Sequence, residues 1–300
     1  MKLDPPAPST YIDLLKRALA EDIGPGDITS QALVDENLSA TAVILAKQEG
    51  VLAGLFLLQP LADLLDPQLN VQLTAADGQS VQPEQEIARI SGSCRGLLAL
   101  ERVALNFLAH LSGIATLTSK FVRAVQGTRA VICDTRKTIP GLRTLEKYAV
   151  RAGGGSNHRL GLYDAAMIKD NHLLSLTSDP SSPDHFAVLS QRLPKLRSQL
   201  PPGGFIQLEV DDLSQFQQVL DLHLDLDMVL LDKFSHQDLA QAVEIRNQAG
   251  LADKLLLEAS GNITLQNVSR VARTGVERIS VGALTHSAPA FDFSMEFIQK

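Results

Sequence analysis

The chain has 300 residues, 45% hydrophobic and 20% charged, which is the profile of an ordinary globule of one large domain or two smaller ones. Its 27 Lys/Arg against 34 Asp/Glu leave a net charge of −7, which argues against a nucleic-acid backbone or an anionic membrane as partner. Two cysteines, Cys94 and Cys133, can build no disulfide framework and have no metal-ligand spacing; they are expected as reduced, buried thiols in a cytoplasmic protein, with no signal peptide and no apolar run approaching a membrane span.

After a Pro-rich start, Tyr11 to Ala20 places Tyr11, Leu14, Leu15, Ala18 and Leu19 at helical spacing. A turn-rich loop follows, with Asp27 and Thr29 as candidate caps of the next segment. Thr41 to Lys47 and Asn70 to Ala75 read as strands, Leu55 to Leu65 as an apolar helix, and Val81, Ile87 and Ile90 as short strands around the Asp77-Gly78 turn. This mixture lacks the strand–helix alternation of a parallel sheet and predicts a separate α+β domain. Arg95 to Val125 predicts a long helix whose apolar face is interrupted near Ser112-Gly113. From Ala130 the rhythm becomes strand, loop, helix. Apolar runs end at Thr135, Lys169, Val210, Asp232, Ser260 and Ala283, with helical segments at 141–152, 185–199, 213–222, 237–248 and 265–273. A closed barrel and a doubly wound sheet both satisfy this pattern; a barrel needs a further strand, near Ile114–Thr118 or before Asn157. Phe291 to Lys300 is expected to return to the first domain.

Charge is unevenly spread along the chain. Between Asp134 and His172 seven Lys/Arg face four acids, a cationic island in an acidic protein that suggests a site for a small anion. Arg136 and Lys137 follow one apolar run, Lys169 follows another, and His158-Arg159 sits on a Gly-rich loop. Strand ends of parallel α/β sheets are where active-site groups collect. Glu209 and Asp232 end two later strands and bring carboxylates to the same edge. Gly261 and Gly282 follow the last two strands, where backbone N–H groups and a helix dipole make a phosphate cradle. Arg102, within the long helix, reads from sequence alone as a surface residue paired with Glu101.

The block Asp134-Thr135-Arg136-Lys137-Thr138-Ile139-Pro140-Gly141, with Glu146-Lys147, Gly153-Gly154-Gly155, Asn157-His158-Arg159 and Lys169-Asp170-Asn171-His172, closely resembles quinolinate phosphoribosyltransferase. The likeness runs from Glu21-Asp22 to Leu284-Thr285-His286, with Thr177–Asp184 as a loop insertion. The resemblance implies an N-terminal α+β sandwich domain (residues 1–113, with 286–300 packing back on it) and an incomplete α/β barrel of about seven strands over residues 114–285. It implies conversion of quinolinate and phosphoribosyl pyrophosphate to nicotinate mononucleotide, pyrophosphate and carbon dioxide in de novo NAD biosynthesis, with Mg²⁺ accompanying the pyrophosphate. It also implies a homodimer in which Arg102 reaches the partner's site. Thr135, Arg136, Lys137, His158, Arg159 and Lys169 are then substrate-binding. Lys137, Lys169, Glu209 and Asp232 are catalytic, the two acids also holding Mg²⁺, mainly through substrate. Ser260, Gly261, Asn262, Val281, Gly282 and Ala283 take the 5′-phosphate. Other readings are a related pyridine phosphoribosyltransferase, a Schiff-base aldolase using Lys169, and a non-catalytic phosphate-ligand sensor on the same fold.

Overall fold

The computed structural model describes residues 3–177 and 185–298, and the chain divides into two units. The expected insertion, apart from Thr177, lies outside the described residues. In chain order the first elements are α1 (Ile12–Ile23), α2 (Ile28–Leu33), β1 (Ser39–Ala46), β2 (Gly50–Val51), α3 (Leu58–Leu65), β3 (Asn70–Leu73), β4 (Ser80–Val81), β5 (Glu86–Ser93) and α4 (Cys94–Ala124). Next come β6 (Val131–Cys133), α5 (Arg143–Ala152), β7 (Ala166–Ile168), α6 (Asp170–Leu174), α7 (His185–Ser198), β8 (Ile206–Val210) and α8 (Leu213–Asp221). The chain continues through β9 (Met228–Asp232), α9 (His236–Gln248), β10 (Leu256–Ser260), α10 (Val268–Ala272), β11 (Arg278–Ser280), α11 (Ala283–His286) and β12 (Phe293–Phe297).

The first unit comprises residues 1–119, 137–155 and 283–300. Its sheet has the order β12-β1-β5-β3, every pair antiparallel. The C-terminal strand β12 lies against β1, so the last segment does return to the N-terminal sheet. Asp27 caps α2, its side chain accepting from the Ser30 N–H at 3.1 Å, one of the helix-start donors that lacks an internal partner.

α4 runs unbroken through Ser112-Gly113, the long helix expected from sequence. Ser112 and Thr116 turn their hydroxyls to the β2 edge, accepting from the Ala53 N–H at 3.0 Å and the Val51 N–H at 2.9 Å. Gly113 is needed for close approach: a Cβ there would stand 2.2 Å from the Pro289 carbonyl oxygen. Both residues that interrupt the apolar face are therefore contacts of a continuous helix. The expectation that no apolar run is as long as a membrane span needs correcting, because Cys94–Ala124 is long and apolar enough by length and composition. Of its apolar window, 56% is buried inside the protein, the pattern of a core helix.

The second unit comprises residues 120–136 and 156–282. Its sheet is parallel throughout, in the order β6-β11-β10-β9-β8-β7. Six strands form it. A single parallel bridge from Cys133 to Ser156, beside β6, stands where the further strand was looked for before Asn157; the other location, Ile114–Thr118, is inside α4. Register sorts the strands into two faces. Ile206, Leu208, Val210, Val229, Leu231, Leu257, Ala259 and Ile279 share one, and all are buried. Gln207, Glu209, Asp232, Glu258, Ser260, Arg278 and Ser280 share the other. Side chains alternate across a strand, so one face is apolar and the other, an inner face in that Gln207, Glu258 and Ser280 are buried on it beside Met228 and Leu230, is mixed.

Candidate active site

The carboxyl ends of the strands carry the chemistry. In the second unit, β6 leads to Thr135 and Arg136, β7 to Lys169, β8 ends at Glu209-Val210, β9 at Asp232 and β10 at Ser260. Register places Met167 beside Gln207, so Lys169, two residues on, falls on the same face as Glu209. The two side chains form an ion pair. Lys169 is held at its backbone as well: its N–H donates to His172 Nδ1 at 3.1 Å, which accounts for the Lys-Asp-Asn-His run.

The loop after the Cys133–Ser156 bridge is tied to β6. Asp134, fully buried, accepts from the His158 N–H at 2.8 Å and from Asn157 Nδ2 at 2.5 Å. This brings His158 and Arg159 to the end of β6, next to Arg136. The Arg159 guanidinium is buried, donates through Nη1 to the Ala165 carbonyl at 3.1 Å, and its Nε has no hydrogen-bond partner among the described residues. Burial, and then the Arg136 guanidinium beside it, push Arg159 below the ordinary arginine value. The buried Arg159 guanidinium and the half-buried Arg136 guanidinium repel each other. An anion between them relieves that repulsion, and their planar forks suit a carboxylate.

At the other end, Lys233 lies 3.0 Å from Asp232, and that hydrogen bond raises the ammonium's pKa. Lys233 (φ 57°) and Asn262 (φ 55°) both adopt left-handed backbone, uncommon for residues with a side chain and characteristic of functional turns. Gly261 between these turns has φ 85°, and a Cβ on it would stand 2.5 Å from Lys233 Cγ and 3.0 Å from Asp232 Oδ1. The ends of β9 and β10 thus close on one another only because position 261 is glycine, with the Lys233 N–H donating to the Ser260 carbonyl at 2.8 Å. A cavity of about 370 Å³ opens beside the ends of β8 and β9, lined by Asp211–Ser214, Lys233–Ser235 and Asp238. No three metal-ligating side chains cluster among the described residues. Glu209 and Asp232 offer hard oxygens on one face, which suits Mg²⁺ that keeps its waters and arrives with phosphate oxygens rather than sitting in a protein cage.

Lys137, Ala283 and Arg102 belong to the first unit. There Thr285 Oγ1 donates to the Lys137 carbonyl at 2.7 Å. The Ile139 N–H donates to Glu146 Oε2 at 3.3 Å, and His110 Nε2 lies 2.9 Å from Glu146 Oε1, so the buried Glu146 anchors the loop that follows Lys137. Arg102 is exposed on α4, 4.0 Å from Glu101. Val281 and Gly282 follow β11 in the second unit, with the Val281 N–H on the Cys133 carbonyl at 2.9 Å.

Three polar residues of the inner face escaped sequence reading: Gln207, Glu258 and Arg278. Each stands two positions before a strand-end residue, Glu209, Ser260 and Ser280. A period-2 reading backwards from those ends would have found them. His158, expected to bind substrate, has its Nδ1 taking the Arg159 N–H at 2.7 Å and its Nε2 2.8 Å from Gln207 Oε1.

Comparison with known proteins agrees with this frame. The family model described as quinolinate phosphoribosyl transferase, N-terminal domain, matches residues 27–112, and its C-terminal domain counterpart matches residues 114–296. The chain is 40% identical over 287 residues to the nicotinate-nucleotide pyrophosphorylase (carboxylating) of Mycobacterium leprae, covering 95% of this chain and 96% of that protein. It is 39% identical over 285 residues to the probable nicotinate-nucleotide pyrophosphorylase (carboxylating) of Synechocystis, covering 95% and 92%. The solved nicotinate-nucleotide pyrophosphorylase from Francisella tularensis superposes with a TM-score of 0.85 at 35% identity, covering 99% of each chain.

Proposed function

The chain belongs to the quinolinate phosphoribosyltransferase family and is a phosphoribosyltransferase of NAD biosynthesis, and from that premise we propose how its own side chains divide the work. Quinolinate and phosphoribosyl pyrophosphate react to nicotinate mononucleotide, pyrophosphate and carbon dioxide. Arg136 and Arg159 grip the quinolinate carboxylates. The neighbouring guanidiniums carry this reading, since burial of Arg159 and the positive charge of Arg136 both press on it and a carboxylate suits both planar forks. The ring nitrogen attacks the ribose carbon as pyrophosphate leaves, and positive charge builds on the sugar. Glu209 and Asp232 steady that charge and hold ribose hydroxyls. Lys169 pairs with Glu209 in the free enzyme and turns to the pyrophosphate or a carboxylate when substrate arrives; Lys137 serves the pyrophosphate.

The turns Ser260–Asn262 and Val281–Ala283 take the 5′-phosphate through backbone N–H groups. Glu209 and Asp232 would be the protein-side acids toward Mg²⁺, which when bound would supply neutralisation of the pyrophosphate charge. Once ribosylated, the ring nitrogen is cationic and its charge stabilises the electron pair left on the adjacent carbon as carbon dioxide departs; a proton from solvent then completes that carbon, so decarboxylation needs no organic cofactor. We also propose a cytoplasmic homodimer in which Arg102, exposed on α4, completes the partner's site. The test mixes protein, Mg²⁺, quinolinate and phosphoribosyl pyrophosphate and looks for nicotinate mononucleotide. Product from nicotinate instead would point to the related pyridine phosphoribosyltransferase, and binding without turnover to a sensor.

A further inference from the structure

Lys137 is exposed on a loop, yet the chain around it is fixed at Lys137, Thr138 and Ile139 in turn, by groups of the first unit. The Lys137 carbonyl accepts from Oγ1 of the buried Thr285 on α11 at 2.7 Å. Thr138 Oγ1 accepts from Nε of Arg143, at the start of α5, at 3.1 Å. The Ile139 N–H donates to Glu146 Oε2 on α5 at 3.3 Å, and the Ile139 carbonyl accepts from the Leu142 N–H at 3.0 Å. The peptide units on either side of Thr138 are therefore tied to separate elements, α11 and α5.

Glu146 is the costly member of this arrangement. It is wholly buried, and a carboxylate taken from water needs partners for its oxygens. A carboxylate only accepts, so the 2.9 Å contact with His110 on α4 makes Nε2 of that ring the donor to Oε1. A carboxylate in the first turn of α5 also favours the helix dipole, but a surface acid would do that without burial. An apolar side chain would fill the same space at less cost. What the buried carboxylate adds is a fixed acceptor for the loop N–H.

We propose that Glu146 and His110 are positioning residues for the pyrophosphate end of the site: His110 fixes the carboxylate, the carboxylate fixes the Ile139 N–H, and with Thr285 they hold the main chain from which the Lys137 ammonium reaches the pyrophosphate. The inference rests on the assignment of Lys137 to the pyrophosphate. A lysine ammonium rides on a long flexible stem, so an unsteady main chain spreads its charge over many positions and weakens the hold on phosphoribosyl pyrophosphate. Arg136 precedes the clamped peptides and follows β6, so the grip on quinolinate persists.

Steady-state kinetics in both substrates test this on Glu146→Gln, His110→Leu, His110→Gln, Lys137→Ala and the double variant of Glu146→Gln with Lys137→Ala. Glu146→Gln and His110→Leu should each raise the phosphoribosyl pyrophosphate KM about tenfold, the scale of a lost hydrogen bond to a charged group, with the quinolinate KM within about threefold of wild type. His110→Gln, whose amide can donate as Nε2 does, should return the raised KM to within about threefold of wild type. Lys137→Ala should itself raise the phosphoribosyl pyrophosphate KM, and adding Glu146→Gln to it should change that KM by less than about twofold, because the group being positioned is gone. If the KM of both substrates rises together, or the double variant shows the product of the single effects, Glu146 acts on the fold at large and the inference is wrong. If Lys137→Ala leaves the phosphoribosyl pyrophosphate KM unchanged, the assignment of Lys137 itself falls, and this inference with it. Should Glu146→Gln not fold, His110→Leu and Thr285→Val decide: a rise confined to the phosphoribosyl pyrophosphate KM in both, with rescue by His110→Gln, supports the proposal, and no such selective rise overturns it.

Discussion

Replacing Glu209 by glutamine separates catalysis from stability at one atom. Its carboxylate sits near the end of β8 with its side chain 17% exposed, and its partner Lys169 is 41% exposed. A partly solvated pair of this kind contributes about 0–1 kcal/mol to folding, which in a chain of this size moves Tm by no more than about 2–4 °C. The same carboxylate is asked to face a sugar that becomes cationic only in the transition state. Removing one preorganised charge from such a position costs about 2.7–4 kcal/mol, or roughly 10²–10³ in kcat. Glu209→Gln should therefore lose at least about a hundredfold in kcat while its melting curve stays close to wild type. Initial rates at saturating substrates and a thermal melt on the same preparation measure both. A kcat within about fivefold of wild type would remove Glu209 from the charge-stabilising position, and a large fall in Tm would show that the pair with Lys169 is mainly structural.

Arg159→Lys keeps the charge but cannot both donate to the Ala165 carbonyl and grip a carboxylate with two prongs; the quinolinate KM should rise about 10–100-fold, and an unchanged KM would contradict the assignment. Glu277 accepts from the wholly buried Arg246 at 2.9 Å and from the Leu257 N–H at 2.9 Å. Glu277→Ala leaves that guanidinium uncompensated and should cost about 3–5 kcal/mol in urea unfolding, whereas a loss below about 1 kcal/mol would mean the pair is solvated. Burial alone would raise the Glu258 carboxyl, but His158 and Arg278 outweigh it and depress it in the fold, so its contribution is complete above its ordinary value of 4.5 and is lost as pH falls through the lower folded value. The Tm gap between wild type and Glu258→Gln should accordingly shrink as pH drops below 4.5, and a gap constant with pH would refute this.

Much of this was legible in the chain because it is local. Apolar runs closed by Arg136, Lys169, Glu209 and Asp232 mark parallel strands and the edge where ligands bind, since strand-end groups meet in space whenever the strands are parallel neighbours. The run from Asp134 to His172 identified the family. Tertiary structure decided what depends on residues distant in sequence. Ser112-Gly113 reads from sequence only as a gap in an apolar face but makes interior contacts with Ala53 and Pro289. His158 meets Gln207, 49 residues on, only because the folded loop turns its ring toward β8. Glu258 and Arg278 form a pair only because two strands 20 residues apart in the chain align in register. Periodicity reports which residues share a face, but only the assembled sheet sets which buried charges become neighbours, because the energy of such a charge lies almost wholly in its partners.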